Sequence, residues 1–197
     1  LQSAVGGNTA CSASQLMPIG TVAHETGHAF GLPDLYDTSA FSDTEGIGEW
    51  GLMGAGNYAR PWSPASFDAW SLTELGWITV DTLVNGAERS VPAVQTGDTV
   101  FLAATVDPGI YLLLENRQRI GSDTAMMNPA FGRAKAPGLL IWQIDAVQVL
   151  NGLSSNTVNT GLRQGVALMQ ADGLNQLRSA VVGVRNRGDA GDPFPGN

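Results

Sequence analysis

His24-Glu25-Thr26-Gly27-His28-Ala29-Phe30-Gly31-Leu32-Pro33-Asp34 decides the reading of this chain, because it holds both of the histidines in the sequence. On an α-helix, residues four apart lie one turn above each other on the same face. Two imidazoles at that spacing can hold one Zn²⁺ from one side, and Glu25, next to the first of them, projects where it can take a proton from a water at the metal. The string His-Glu-x-x-His-x-x-Gly-x-x-Asp fixes five positions, which average residue usage would produce on the order of once in ten thousand chains of this size or less. The competing reading is a helix whose histidines are merely exposed or hydrogen-bonded. A bare pair of histidines would leave that reading standing, but Gly31 and Asp34 at their places argue against it.

The segment around the string fits. Residues 15–31 read as the first helix, with Pro18 tolerated in its first turn and Ile19, Val22, Ala23 and Phe30 as its apolar stripe. Gly31 ends the helix, since glycine takes the left-handed conformation such a stop uses. Pro33 prevents the helix from resuming, and Asp34 is expected to swing back toward the histidines. A catalytic zinc takes three protein ligands and leaves a fourth position to water. His24, His28 and Asp34 are the expected three, with Glu25 as general base.

Composition bounds the rest. The 197 residues are 43% hydrophobic and 14% charged, enough apolar content for a packed core and unlike a disordered tail. The net charge of −8 argues against nucleic acid, which needs a basic face. No apolar run is long enough to span a bilayer. One cysteine, Cys11, gives no disulfide framework; it is either a free thiol or the partner of a cysteine outside this sequence. Leu1-Gln2-Ser3 lacks the look of a signal peptide. The zinc helix comes so early that an upstream wall of the cleft is expected to be missing, and the closing stretch, residues 188–197, reads as loop.

Residues 1–14 read as loop and residues 35–60 as a long glycine-rich irregular stretch, the kind of loop that tends to be functional. Met53, in Gly51-Leu52-Met53-Gly54, is a candidate for the apolar floor that a methionine in a tight turn forms beneath the metal in many zinc peptidases; the alternative is an ordinary core methionine. Tyr58 could donate to an oxyanion, but a structural role is the preferred reading. Ser63-Pro64 is expected to cap a second helix running to Leu75, with Phe67, Trp70 and Leu75 facing inward. Beyond Trp77, residues 77–84, 99–106, 110–117, 138–145 and 165–171 read as strands, with a polar loop over 151–160. The fold class is therefore α+β: a zinc-helix part over residues 1–80, a fragment of a larger catalytic domain, followed by a β-rich part over 81–197 that either continues the catalytic region or forms an adjoining domain. Asp189 and Asp192, with Asp172, mark acidic turns that could offer oxygens to Ca²⁺; the alternative is a solvated turn. Asp37, Asp43 and Glu45 add carboxylates near the zinc loop.

These residues resemble the immune inhibitor A type metallopeptidases, peptidase family M6. HETGHAFGLPDLYD (24–37) is similar to that family's zinc motif. So are Gly48-Glu49-Trp50-Gly51-Leu52-Met53, residues 63–77, YLLLENRQ (111–118), GLLIWQID (138–145), VALMQADG (166–173) and GDAGDPFPG (188–196). The resemblance implies a metzincin-like, secreted bacterial zinc endopeptidase with calcium as support and protein or peptide substrates. It carries over His24, His28 and Asp34 as zinc ligands and Glu25 as base, beside Gly31 and Met53, which the residue pattern itself marks as supporting positions. Gln143 departs from the histidine usual at its place, and the family's upstream part is absent, so activity of the isolated fragment stays open. Two further readings stay open beside the peptidase: a zinc-stabilised binding fragment without catalysis, and a zinc hydrolase with a non-peptide substrate. Nothing in the sequence bears on oligomeric state.

Overall fold

The computed structural model describes residues 16–131 and 134–196; Cys11 and the loop expected over residues 1–14 lie outside them. Helix α1 spans Ile19–Ala29, shorter than expected, because Pro18 is its N-cap rather than part of its first turn. Gly31, at φ +96°, ends it. There Gly31 N–H donates to His28 O (2.9 Å) and Leu32 N–H to Gly27 O (3.1 Å), so the last carbonyls of the helix are satisfied.

The expected apolar stripe does not face inward. Ile19, Val22 and Phe30 are 50%, 43% and 56% exposed. The buried face of α1 is Gly20, Thr21, His24 and Gly27. The reason is close backbone approach: a Cβ on Gly20 would meet Asn57 O at 2.4 Å, and one on Gly27 would meet Met53 Sδ at 2.5 Å. The small face of α1 thus receives the wide helical turn Leu52–Gly56, which runs into the short helix α2 (Asn57–Ala59). Phe30 instead packs edge-on against Trp77, at 5.4 Å between ring centroids.

The second helix also differs from expectation. Helix α3 is only Ala69–Glu74, capped by Asp68, whose carboxylate accepts from Ser71 N–H at 3.0 Å. Residues 63–67 are not helical, because their backbone bonds go elsewhere: Ala65 N–H donates to Gly56 O, Ser66 O accepts from Leu52 N–H, and Ser66 N–H donates to Asp123. Trp70 is buried, and Phe67 and Leu75 pack partly buried against the core, as expected.

The five expected strands all form: β1 (Thr79–Thr82), β2 (Thr99–Ala104), β3 (Ile110–Arg117), β4 (Gly138–Asp145) and β5 (Val166–Leu168). They make one mixed sheet in the order β1-β2-β3-β4-β5, with β1 and β2 parallel and the other pairs antiparallel. Together with the helices this is an α+β fold. Residue alternation gives the sheet one buried face, carrying Leu113, Leu140, Trp142 and Ile144. Gln143 lies on β4 at an alternate, partly exposed position, opposite Leu112 and Ala167. Helix α4 (Ala146–Gly152), which the sequence reading did not anticipate, follows β4 directly and is capped by Asp145, which accepts from Gln148 N–H at 2.9 Å.

One hydrophobic cluster joins both halves of the chain. Leu32, Leu35, Trp50, Met53 and Trp70 belong to it together with Val100, Leu113, Leu140, Trp142 and Leu168. Beneath it, β3 turns two charged residues inward: Glu115 and Arg117 are fully buried and paired at 2.8 Å.

Candidate metal centre

The fold brings His24, His28 and Asp34 together as the expectation required. Asp34 Oδ1 stands 3.1 Å from His24 Nε2 and 3.2 Å from His28 Nε2. Two chain features cause this. The i, i+4 spacing on α1 stacks the two rings on one face, 4.8 Å apart between centroids. The left-handed Gly31 then reverses the chain, and Leu35 N–H anchors to Met53 O at 2.8 Å, leaving Asp34 facing the rings.

The other ring nitrogens fix the tautomers. His24 Nδ1 lies 2.8 Å from Leu52 O, and His28 Nδ1 lies 2.8 Å from Leu32 O. A carbonyl can only accept, so both Nδ1 atoms carry hydrogen. In the neutral rings both Nε2 atoms therefore turn lone pairs toward a carboxylate oxygen. Three such acceptors at this separation repel one another unless a cation lies between them. Tetrahedral coordination at zinc bond lengths separates ligand atoms by about 3.3 Å, close to the 3.1 and 3.2 Å found. Two imidazoles and one carboxylate also suit zinc chemically. The residues present fit the metal.

Where no cation lies between them, a proton on His24 Nε2 takes its place beside Asp34. Burial works against charge on His24, yet the hydrogen bonds to Asp34 and Leu52 O and the nearby carboxylates of Asp34 and Glu25 leave its pKa raised. Burial works against charge on Asp34 as well, yet hydrogen bonds from His24 and Asn156 and the field of the two rings hold its pKa below the usual carboxylate range. The site is thus arranged to bring a buried carboxylate and positive charge together.

Met53 and Glu25 lie close to these three residues in the chain's fold. Met53 is fully buried against α1 at Gly27, the residue before His28. Glu25 is partly buried beside His24, and its side chain makes no hydrogen bond among the described residues. The side chain of His28 is 30% exposed, so the cluster has one side open to solvent.

Sequence reasoning missed two neighbours. Tyr36 stacks on His24, with centroids 6.3 Å apart, and its phenol is pushed up by burial and by Asp34. It lines a cavity of about 330 Å³ with Tyr58, Glu45, Arg185 and Arg187. Asn156 bonds to Asp34 twice, once through each end of its side-chain amide. Tyr36 sits inside the zinc motif, so its position was a usable signal; Asn156 lies 122 residues from Asp34 and carried none.

Of the other carboxylates near this loop, Asp37 and Glu45 are engaged elsewhere, and Asp43 is exposed. Asp37 accepts from Ser39, Thr44 and Gly161 backbone N–H groups. Glu45 pairs with Arg187 at 3.0 Å and with Arg185 at 3.4 Å. Far along the chain, Asp172, Asp189 and Asp192 gather with carboxylate oxygens within 4.8 Å of one another. Asp192 is fully buried and accepts from Trp50 Nε1 (2.6 Å), Asp189 N–H (2.9 Å) and Gln170.

A histidine pair on a helix, a returning aspartate and a free glutamate define a candidate mononuclear metal centre on an α+β fold. Comparison with known proteins agrees: residues 7–78 match the family described as immune inhibitor A peptidase M6, catalytic domain. The resemblance read from the motifs holds over this stretch, which carries His24, Glu25, His28, Gly31, Asp34 and Met53; the motifs quoted beyond Trp77 lie almost wholly outside it. The chain is also 38% identical over 86 residues to the pre-pro-metalloprotease PrtV of Vibrio cholerae serotype O1, in strains M66-2 and ATCC 39315 / El Tor Inaba N16961. That similarity covers 39% of this chain and 9% of each relative, so the chain spans a small part of the proteins it resembles. No solved structure matches.

Proposed function

We propose that this chain carries the zinc site of a secreted, metzincin-like endopeptidase of the immune inhibitor A type. The observation that carries the reading is the meeting of His24 Nε2, His28 Nε2 and Asp34 Oδ1, with both Nδ1 atoms tied to carbonyls. Bound by these three atoms, Zn²⁺ supplies Lewis acidity toward a substrate carbonyl and toward water. Glu25 takes a proton from the attacking water and returns it to the leaving amine; a side chain with no other bond among the described residues suits that task. Met53 gives the centre an apolar floor, and Gly31 allows the turn that returns Asp34.

The substrates in this reading are proteins or peptides, met outside the cell. Among the described residues no helix is long and apolar enough to cross a membrane. Calcium enters the same reading as a support ion, with Asp172, Asp189 and Asp192 as its carboxylates. Residues 1–80 form the zinc-helix part of the catalytic domain and residues 81–197 its β-rich continuation.

The test compares the protein, and any longer polypeptide that carries this chain, with Glu25→Ala and with chelator-treated protein on a peptide panel. Glu25→Ala is expected to keep zinc and lose about 10²–10⁴-fold in turnover. Proteolysis unchanged by both treatments rejects the mechanism. Full zinc occupancy without hydrolysis in any form favours a zinc-stabilised binding module instead.

A further inference from the structure

Asn156 belongs to the β-rich half, at the end of the short turn Leu153–Ser155 that follows α4. It holds a left-handed backbone conformation, φ +55° and ψ +40°, which asparagine tolerates better than most residues. Its side-chain amide grips Asp34 at two points. Nδ2 donates to Asp34 Oδ2 at 2.7 Å, and Oδ1 accepts from the Asp34 backbone N–H at 2.7 Å. One planar group thus fixes both the backbone and the carboxylate of the same residue.

The consequence is a division of labour between the two carboxylate oxygens. Oδ2 is taken by Asn156, and Oδ1 is left to face His24 Nε2 and His28 Nε2. The grip is itself anchored. Thr38 Oγ1 donates to Asn156 O at 3.1 Å and meets Thr160 Oγ1 at 2.6 Å, while Asn159 Nδ2 donates to Leu35 O at 2.8 Å. The loop after α4 is therefore stitched along residues 34–38.

We propose that Asn156 is a positioning residue for the metal centre: it orients Asp34 as a one-oxygen ligand toward the cation held by His24 and His28. The inference rests on the zinc reading above. It makes metal affinity depend on a loop of the β-rich half that, among the described residues, forms no hydrogen bond with either histidine.

The experiment measures Zn²⁺ affinity by competition with a chromophoric chelator, for the whole chain as wild type, Asn156→Gly and Thr160→Ala. Glycine accepts a positive φ without cost, so Asn156→Gly removes the amide and spares the backbone. Loss of a group that orients a ligand typically weakens metal binding about 10–100-fold. Asn156→Gly is expected to show that loss, with a changed Co²⁺ absorption spectrum; its metal-free Tm also falls, because Asp34 N–H and Oδ2 each lose a partner, so affinities are compared at a temperature where both proteins are folded. Thr160→Ala, which loosens the same loop and spares the amide, is expected to bind zinc as wild type does. If wild type binds no zinc, the metal reading itself fails. If wild type and Asn156→Gly bind equally, or Thr160→Ala loses as much as Asn156→Gly, the inference is overturned. Should Asn156→Gly not fold, the wild type decides: the Asn156 side-chain amide resonance must shift on Zn²⁺ addition, and an unmoved resonance overturns the inference.

Discussion

A Cβ built on Gly27 would stand 2.5 Å from the Met53 sulfur and 3.4 Å from the Phe67 ring. Gly27 is one of the two unspecified positions between the histidines, and its lack of a side chain is what brings Met53 against the helix that carries them. Met53 is fully buried, so its side chain must shift within the core to admit a methyl group here. Glycine in a helix interior is otherwise unfavourable relative to alanine by about 0.5–1 kcal/mol.

Gly27→Ala is therefore expected to destabilise the metal-free protein by about 1–3 kcal/mol through overpacking. Met53→Ala is expected to cost about 2–5 kcal/mol through the cavity it leaves. The informative variant is the double one. With the sulfur gone, the clash disappears and the helix preference emerges, so Gly27→Ala should become neutral or stabilising in the Met53→Ala background. Denaturant unfolding of the four proteins measures this coupling. Additive effects would mean the two residues do not press on each other.

Much of this arrangement was legible in the sequence, and the limits were physical. The strands were readable because short apolar runs between turn residues have few alternative fates. The convergence of His24, His28 and Asp34 was readable because helical spacing and a glycine stop are local rules. The inward face of α1 was misread because hydrophobicity predicts burial only on average; here close approach at Gly20 and Gly27 outweighed Ile19, Val22 and Phe30. The start of the second helix was misread because the backbone of residues 65–66 bonds to residues 52, 56 and 123, which no local signal reveals. Asn156 was invisible for the same reason: its function depends on a partner far away in sequence.

Zinc binding should stabilise the folded chain, because the three ligand atoms converge only in the native state. At a free concentration of about 100 times Kd the gain is about 2.7 kcal/mol, or roughly 5–10 °C in Tm for a domain of this size. His28→Ala is the preferred control, since its partly exposed side chain contributes least to packing. The variant is expected to keep most of the metal-free Tm and to lose the zinc-induced rise. A full rise in His28→Ala would remove this residue from the ligand set.

Glu115 gives the fold an unusual pH dependence. Burial pushes its carboxyl up to about 7, with Asp68 nearby adding to the effect and Arg117 and the Trp142 indole opposing it. Its folded-state pKa thus lies above its ordinary value of 4.5, so the native state holds the proton more tightly than the unfolded chain. That stabilisation is complete below pH 4.5 and is lost as pH rises toward 7. Glu115→Gln cannot titrate. The stability of wild type relative to Glu115→Gln should therefore fall across this window and level off above it, measured by denaturant unfolding of the metal-free proteins. A difference that rises with pH would mean that the Arg117 pair holds Glu115 ionised throughout.

Trp50 and Asp192 join the zinc loop to the end of the described chain, with Trp50 Nε1 donating to Asp192 Oδ2 at 2.6 Å between two fully buried groups. Asp189 N–H donates to the same oxygen, so both of its lone pairs are engaged, and Gln170 donates to the other. Each of these three hydrogen-bond partners donates, so their positions suit an acceptor-only group. An asparagine side chain in its place would have to turn its NH₂ toward one of these donors. Gln170 cannot flip to receive it without abandoning Leu177 N–H, which its Oε1 accepts at 3.0 Å. Asp192→Asn is therefore expected to destabilise by about 1–3 kcal/mol for each donor left unpaired, with or without calcium. Calcium is then separable from this hydrogen-bond role. Asp172 is less buried, and its Oδ1 already accepts from Leu174 N–H at 2.9 Å, so Asp172→Asn should fold. If the three carboxylates hold Ca²⁺, the calcium-induced rise in wild-type Tm should shrink in Asp172→Asn. If wild type shows no such rise, Asp192 serves the fold alone, as the acceptor that latches Trp50.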